Sequence, residues 1–232
     1  MVSLPEGFVA LQTYVPSILP ALRYGTSHNF LGRPVEGYRG SSVVLTRAAA
    51  DALSEVADLV AKDGYRFVIY DAYRPQKAVQ DFLSWRDDSE EDLSIKALYY
   101  PVFSKEYLFE NGYISPRFTH SRGSIVDLTL IENDQVSKFT GLPQDEKKVT
   151  LSDGCILTTL YDGKLDMGGH FDLFDISVHP GSDLVSKQAQ NNRLYLANVM
   201  QQNGFLPSST EWWHFRLKDE PFKDMVFDFD IH

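Results

Sequence analysis

The chain has 232 residues, 43% hydrophobic and 13% aromatic, enough to bury one sizeable core. Its formal net charge of -10 argues against a nucleic-acid partner, because phosphate binding needs clustered Lys and Arg. The single cysteine, Cys155, rules out an intrachain disulfide and a structural zinc site built on several thiolates, so any metal must sit on His, Asp and Glu.

The first twenty residues lack a basic segment followed by an apolar run and a small-residue cleavage site, and no stretch is long enough to span a bilayer. The expectation is a cytoplasmic protein with no membrane partner. The segment to about Ser42 is rich in Pro, Gly and Tyr and reads as irregular structure with short strands. Thr46 then caps a helix over "RAAADALSEVADLVAKDG", with Leu53, Val56, Ala57 and Val60 on one face and Gly64 as its stop. "YRFVIYDAY" is a buried strand. Pro75 suits the first turn of a helix, "PQKAVQDFLSWRDD", in which Ala78, Val79, Phe82 and Leu83 share a face.

From Asp87 to Arg117 the chain reads as a loop with one short helix. "SIVDLTL" alternates, with Ile125, Asp127 and Thr129 facing one way and Val126, Leu128 and Leu130 the other. Turn signals fill 131 to 167, around a hairpin at "CILTTLY". Ser186 to Asn203 is a helix stopped by Gly204, and "EWWHFRL" is a strand. With no repeat and no linker, the expectation is one α+β domain over 1–232.

Chemistry concentrates in a few places. In "HSRGSIVD", His120 and Asp127 would point to opposite faces of one continuous strand, but Gly123 permits a turn that brings them together. Asp127 lies among apolar neighbours, where a carboxylate is costly unless it is paired or binds a metal. In "EWWHFRL" a strand places Trp212, His214 and Arg216 on one face and Trp213, Phe215 and Leu217 in the core. Glu211 then has to lie in the preceding turn to reach the same site as His214. Each signal alone is also what a buried aromatic strand or a hydrogen-bonded aspartate looks like. Arg74 in "DAYRP", held by Asp71, can present its fork to an oxyanion or form an ordinary surface ion pair. "MGGHFDLFD", with Asp166, His170, Asp172 and Asp175, reads as a second site or, more simply, a polar loop anchored by Phe171 and Phe174.

Taken in order, "NFLGRPVEGY", "DAYRP", "YYP", "THSRGSIVDLTL", "MGGHFD", "NNR", "NGF" and "EWWHFRLKDEPF" resemble the VanX-type D-alanyl-D-alanine dipeptidases over nearly the whole chain. The resemblance implies the fold of hedgehog and D,D-carboxypeptidase domains: a mainly antiparallel sheet with helices packed on it and a zinc site in a central cleft. It implies one zinc ion on His120, Asp127 and His214, Glu211 as the general base, and Arg74 steadying the oxyanion. It places Asp172 at the substrate ammonium, with Tyr24 and Asp71 lining the same region, and leaves His170 and His179 structural. The substrate it implies is a small dipeptide. Two other readings are a D,D-carboxypeptidase acting on longer peptidoglycan stems and a non-catalytic zinc-binding module, against which Glu211 and Arg74 both stand.

The chain departs from the family pattern at Phe118, where a Ser near the substrate's amino end is usual, and at Ile125, where Ala is usual. A phenyl ring at 118 is expected to reshape the substrate pocket. The segment from 132 to 166 is longer than in compact relatives, and a hairpin beside the cleft that restricts access to short substrates is expected there.

Overall fold

The computed structural model describes residues 4–232. In chain order it runs β1 (Phe8–Ala10), α1 (Leu11–Tyr14), β2 (Leu19–Pro20), β3 (Val44–Thr46), α2 (Arg47–Lys62), β4 (Tyr65–Asp71) and α3 (Gln76–Asp87). There follow α4 (Leu93–Tyr99), α5 (Lys105–Glu110), β5 (Ile125–Glu132), β6 (Asp145–Thr150), β7 (Ile156–Tyr161), α6 (Lys187–Gln202), β8 (Phe205–Pro207) and β9 (His214–Leu217). This is a mixed α/β chain. Among the described residues, no helix is long and apolar enough to cross a membrane.

The main sheet has the order β2-β4-β5-β9-β8, and every pairing but β2–β4 is antiparallel. Helix α2 starts where expected: the Thr46 side chain accepts the Ala49 N–H, satisfying one of the free donors of the first turn. Its face of Leu53, Val56, Ala57 and Val60 is buried and packs on β4, α6 packs on β8, and the two helices touch. Strand β5 is buried from Ile125 to Ile131, so its alternating sequence does not mark a solvent face; both sides are covered.

Three expectations shift. Pro75 sits at the cap of α3 with extended ψ rather than inside the first turn, and Leu83 is only half-buried. The stretch from Asp87 to Arg117 holds two short helices, because Asp92 and Ser104 each accept backbone N–H groups as N-caps. "EWWHFRL" is a strand only from His214; residues 211 to 213 turn, with the His214 N–H donating to the Glu211 carbonyl at 3.4 Å.

The hairpin of β6 and β7 is tied to the main body by a buried network. Arg23 Nη2 donates to Asp162 Oδ2 at 2.6 Å, Tyr70 Oη donates to the same oxygen at 2.7 Å, and Lys164 Nζ lies 3.2 Å from Oδ1.

The loop ahead of β5 is where fold and site meet. His120–Arg122 form a single 3-10 turn closed by Gly123 at φ 75, and Gly123 N–H donates to the His120 carbonyl at 2.9 Å. A side chain at 123 would be strained in the left-handed region and would place its Cβ 2.3 Å from Phe8 Cε1. Phe8 belongs to an aromatic cluster with Tyr73, Phe222, Phe227 and Phe229. The segment from Phe222 onward runs behind the site: Phe227 N–H donates to the Ser121 carbonyl, Gln76 N–H donates to the Phe227 carbonyl, and Phe229 stacks on Tyr73 at 4.0 Å. Gly123→Val is expected to destabilise the chain by about 2–4 kcal/mol, combining backbone strain with overpacking. Urea denaturation checks this; a midpoint within error of the parent would refute it.

Candidate active site

Three strands converge on one point. Asp71 ends β4 and pairs in register with Asp127 of β5, which pairs with His214 of β9. The His120 turn delivers its imidazole from the side. His120 Nδ1 lies 2.8 Å from the Ala72 carbonyl, which can only accept, so Nδ1 carries the proton and Nε2 presents its lone pair. Nε2 lies 3.4 Å from His214 Nδ1 and 3.5 Å from Asp127 Oδ2, while His214 Nδ1 is 3.0 Å from Asp127 Oδ1.

These spacings suit a small metal ion. Ligands about 2.0–2.2 Å from a tetrahedral ion stand roughly 3.3–3.6 Å apart; here the two imidazole nitrogens are 3.4 Å apart, each has one Asp127 oxygen within 3.5 Å, and one donor atom from each of the three residues lies within 4.8 Å of the others. Asp127 Oδ1 is buried with no hydrogen-bond donor of good geometry, a costly state for a carboxylate oxygen that a cation would relieve. Burial and the Arg74 charge hold the His120 pKa well below its ordinary value, so the ring stays neutral, as ligation requires. Burial works to raise Asp127, but the two histidines and Arg74 outweigh it and keep its pKa low. Among the described residues, His120, Asp127 and His214 form the one cluster spaced to hold a metal.

A cleft of about 230 Å³ opens over this triad. Arg74 lines it, with Nε and Nη2 donating to Asp71 Oδ2 at 2.9 and 2.8 Å and the guanidinium 4.8 Å from the Tyr24 ring centre and 4.9 Å from that of Phe82. Glu211 lines it from the turn before β9, its Oε2 3.8 Å from His214 Nδ1. Burial, with Asp127 and Asp172 nearby, pushes the Glu211 pKa well above the ordinary carboxylate value. Asp172 also faces the cleft; its Oδ2 is buried without a donor, and burial and Asp127 push its pKa well up. Its backbone is left-handed at φ 63, a conformation Asp tolerates better than most residues and one that collects at functional sites.

A family model for the Peptidase M-fifteen group, described as D-ala-D-ala dipeptidase, matches residues 5–140 and 145–232. The chain belongs to this family. It is similar to the D-alanyl-D-alanine dipeptidase of Enterococcus faecium, 33% identical over 226 residues that cover 97% of this chain and 98% of the relative. The Streptomyces coelicolor enzyme of the same name is 36% identical over the same coverage, and that of Escherichia coli is 28% identical over 90% of this chain and 83% of the relative. This family member is therefore a peptidase.

The placement of the expected site residues in this dipeptidase-family chain is uneven. His120, Asp127, His214, Glu211, Arg74, Asp172 and Tyr24 all line the one cleft. Asp71 does not; it is fully buried behind Arg74 and accepts the Tyr38 hydroxyl at 2.6 Å on its other oxygen, so its place is to aim the guanidinium. Phe118, expected to reshape the pocket, is half-buried in a left-handed conformation at φ 52 and is absent from the cleft lining. No residue of 132–166 lines the cleft either, so the hairpin does not wall it. That wall is Gly112 to Ser115, with Thr119 beside it. This wall escaped sequence reasoning because its residues carry no reactive group. Trp213, a core position by strand parity, is buried and also lines the cleft.

Proposed function

We propose that the chain hydrolyses D-alanyl-D-alanine, or a closely related dipeptide, with one zinc ion held by His120, Asp127 and His214. The observation that carries this reading is the convergence of the two imidazoles and the donor-less Asp127 oxygen on one point beneath a small, polar cleft. A zinc ion there would supply Lewis acidity, acidifying a water and polarising the scissile carbonyl. Glu211, buried beside His214, takes the proton from the attacking water and later gives it to the leaving amine. Its raised pKa favours the half of that task in which it holds the proton for the leaving amine.

Arg74 presents donors to the carbonyl oxygen as negative charge develops on it. Its contacts with the Tyr24 and Phe82 rings and its bond to Asp71 fix it before substrate arrives, so little reorganisation is needed. Asp172 Oδ2 receives the substrate ammonium, which supplies the donor this oxygen lacks. The cleft volume falls below the roughly 300–1,000 Å³ of drug-sized pockets, which supports a dipeptide over a longer stem peptide. The layout of the main sheet and cleft supports the likeness to hedgehog and D,D-carboxypeptidase domains.

The test is elemental analysis of the purified chain together with hydrolysis of D-Ala-D-Ala, L-Ala-L-Ala and a tripeptide ending in D-Ala-D-Ala. The expected result is about one zinc per chain and selective cleavage of the first. Equal cleavage of the tripeptide would move the reading to a carboxypeptidase, and metal binding without turnover to an interaction module.

A further inference from the structure

A free dipeptide carries two charges, and the site described so far meets only one of them. Three arginines line the cleft: Arg74, Arg122 and Arg216. Arg74 is committed to Asp71. Arg122 is committed to Glu220, whose two oxygens accept from its Nε at 2.8 Å and its Nη2 at 2.9 Å. Arg216 shares that same carboxylate, donating only from Nη1 to the Oε1 already taken by Arg122, at 2.9 Å. Two guanidinium groups thus stand on one buried carboxylate, leaving one surplus positive charge at the cleft wall.

The surplus sits on Arg216. Its Nε and Nη2 make no hydrogen bond among the described residues, so one edge of its fork is open. Its side chain is 39% exposed, against 18% for Arg122, so it is the one that can turn toward a ligand. Position is set by the strand. His214 and Arg216 are two apart on β9 and share a face, and where His214 pairs with Asp127, Arg216 pairs with the cleft residue Ile125. Arg216 therefore lies one side-chain step, about 7 Å, along the strand from the metal-ligand pair. In a dipeptide the terminal carboxylate lies one residue beyond the scissile carbonyl, a distance an arginine side chain spans from there.

We infer that Arg216 is the receptor for the substrate's C-terminal carboxylate and so makes the enzyme require a free C-terminus one residue after the cut. This rests on the dipeptidase reading above. The unused edge of the fork matches a carboxylate in two parallel hydrogen bonds, while Glu220 keeps the guanidinium at the cleft wall.

The test compares D-Ala-D-Ala with D-alanyl-D-alaninamide, which keeps the scissile bond and ammonium but removes the charge. The parent enzyme is expected to prefer the free acid by about ten- to a hundred-fold in kcat/KM, the range of a charge-assisted hydrogen bond. In Arg216→Gln that preference collapses toward unity, through a higher KM for the acid with kcat changed little, and Arg216→Lys recovers part of it. Zinc content and circular dichroism report whether each variant is folded. A folded Arg216→Gln enzyme that keeps the full preference for the acid overturns the assignment, as does a loss confined to kcat. A parent enzyme that cleaves neither compound overturns the dipeptidase reading itself, and the assignment with it.

Discussion

Glu211→Gln is expected to keep its zinc and lose about 10²–10⁴-fold in kcat for D-Ala-D-Ala, the usual share of a positioned acid–base group. Glutamine has nearly the same shape, so the turn closed by the His214 N–H on the residue 211 carbonyl survives, but it cannot take up a proton. Stability separates this from unfolding. In the metal-free chain the folded pKa of Glu211 is raised well above the ordinary carboxylate value, chiefly by burial and by Asp127 and Asp172. The folded state therefore binds this proton more tightly than the unfolded state. Its contribution to stability is full below the unfolded pKa and is lost as pH rises through the folded one. Glutamine removes that loss, so at neutral pH the metal-free variant is expected to melt no lower than the parent. A variant with full zinc, an unchanged melting point and near-parent turnover would show that another group moves the proton.

Arg74→Ala is expected to cost about 10²–10³-fold in kcat, as the loss of one oxyanion donor usually does. It has a second effect, because Asp71 is fully buried and Arg74 is its cationic partner. Removing one member of a buried pair typically costs about 3–5 kcal/mol. Burial already raises the Asp71 pKa and Arg74 opposes that rise, so without the arginine Asp71 takes up a proton more readily. The double variant Arg74→Ala, Asp71→Asn separates the two effects: it is expected to recover much of the stability and none of the rate. Recovery of turnover alongside stability would mean that Arg74 acts on the fold and not on the carbonyl oxygen.

The sequence made parts of this site readable and hid others for physical reasons. The His120–Asp127 pair was legible because a glycine at 123 is what a turn needs to undo the parity of a strand, and the left-handed Gly123 makes that turn. Glu211 was legible because a side chain three residues before a strand histidine can only join it from a turn. Helix α2 was legible from its cap and its apolar spacing, and α6 from its bounds at Ser186 and Gly204. Asp172 was legible only through the family resemblance, since its left-handed backbone and its donor-less oxygen arise from loop packing that no periodicity encodes. The distinction between Asp71, which aims Arg74, and Tyr24, which faces the cleft, needs three-dimensional burial. Phe118 misled for a related reason: likeness in sequence fixes where a residue stands along the chain, while its left-handed backbone governs where the ring goes.

The run from Phe222 to Phe229 grips the molecule through two backbone bonds and a set of packed rings, and none of its residues lines the cleft. It braces both the carbonyl chain of Ser121 and the start of the helix after Arg74. On the proposed mechanism, alignment is thus partly remote-controlled: an amino-acid change at Phe227 is expected to detune turnover from outside the pocket, and a survey confined to pocket-facing positions would never sample it.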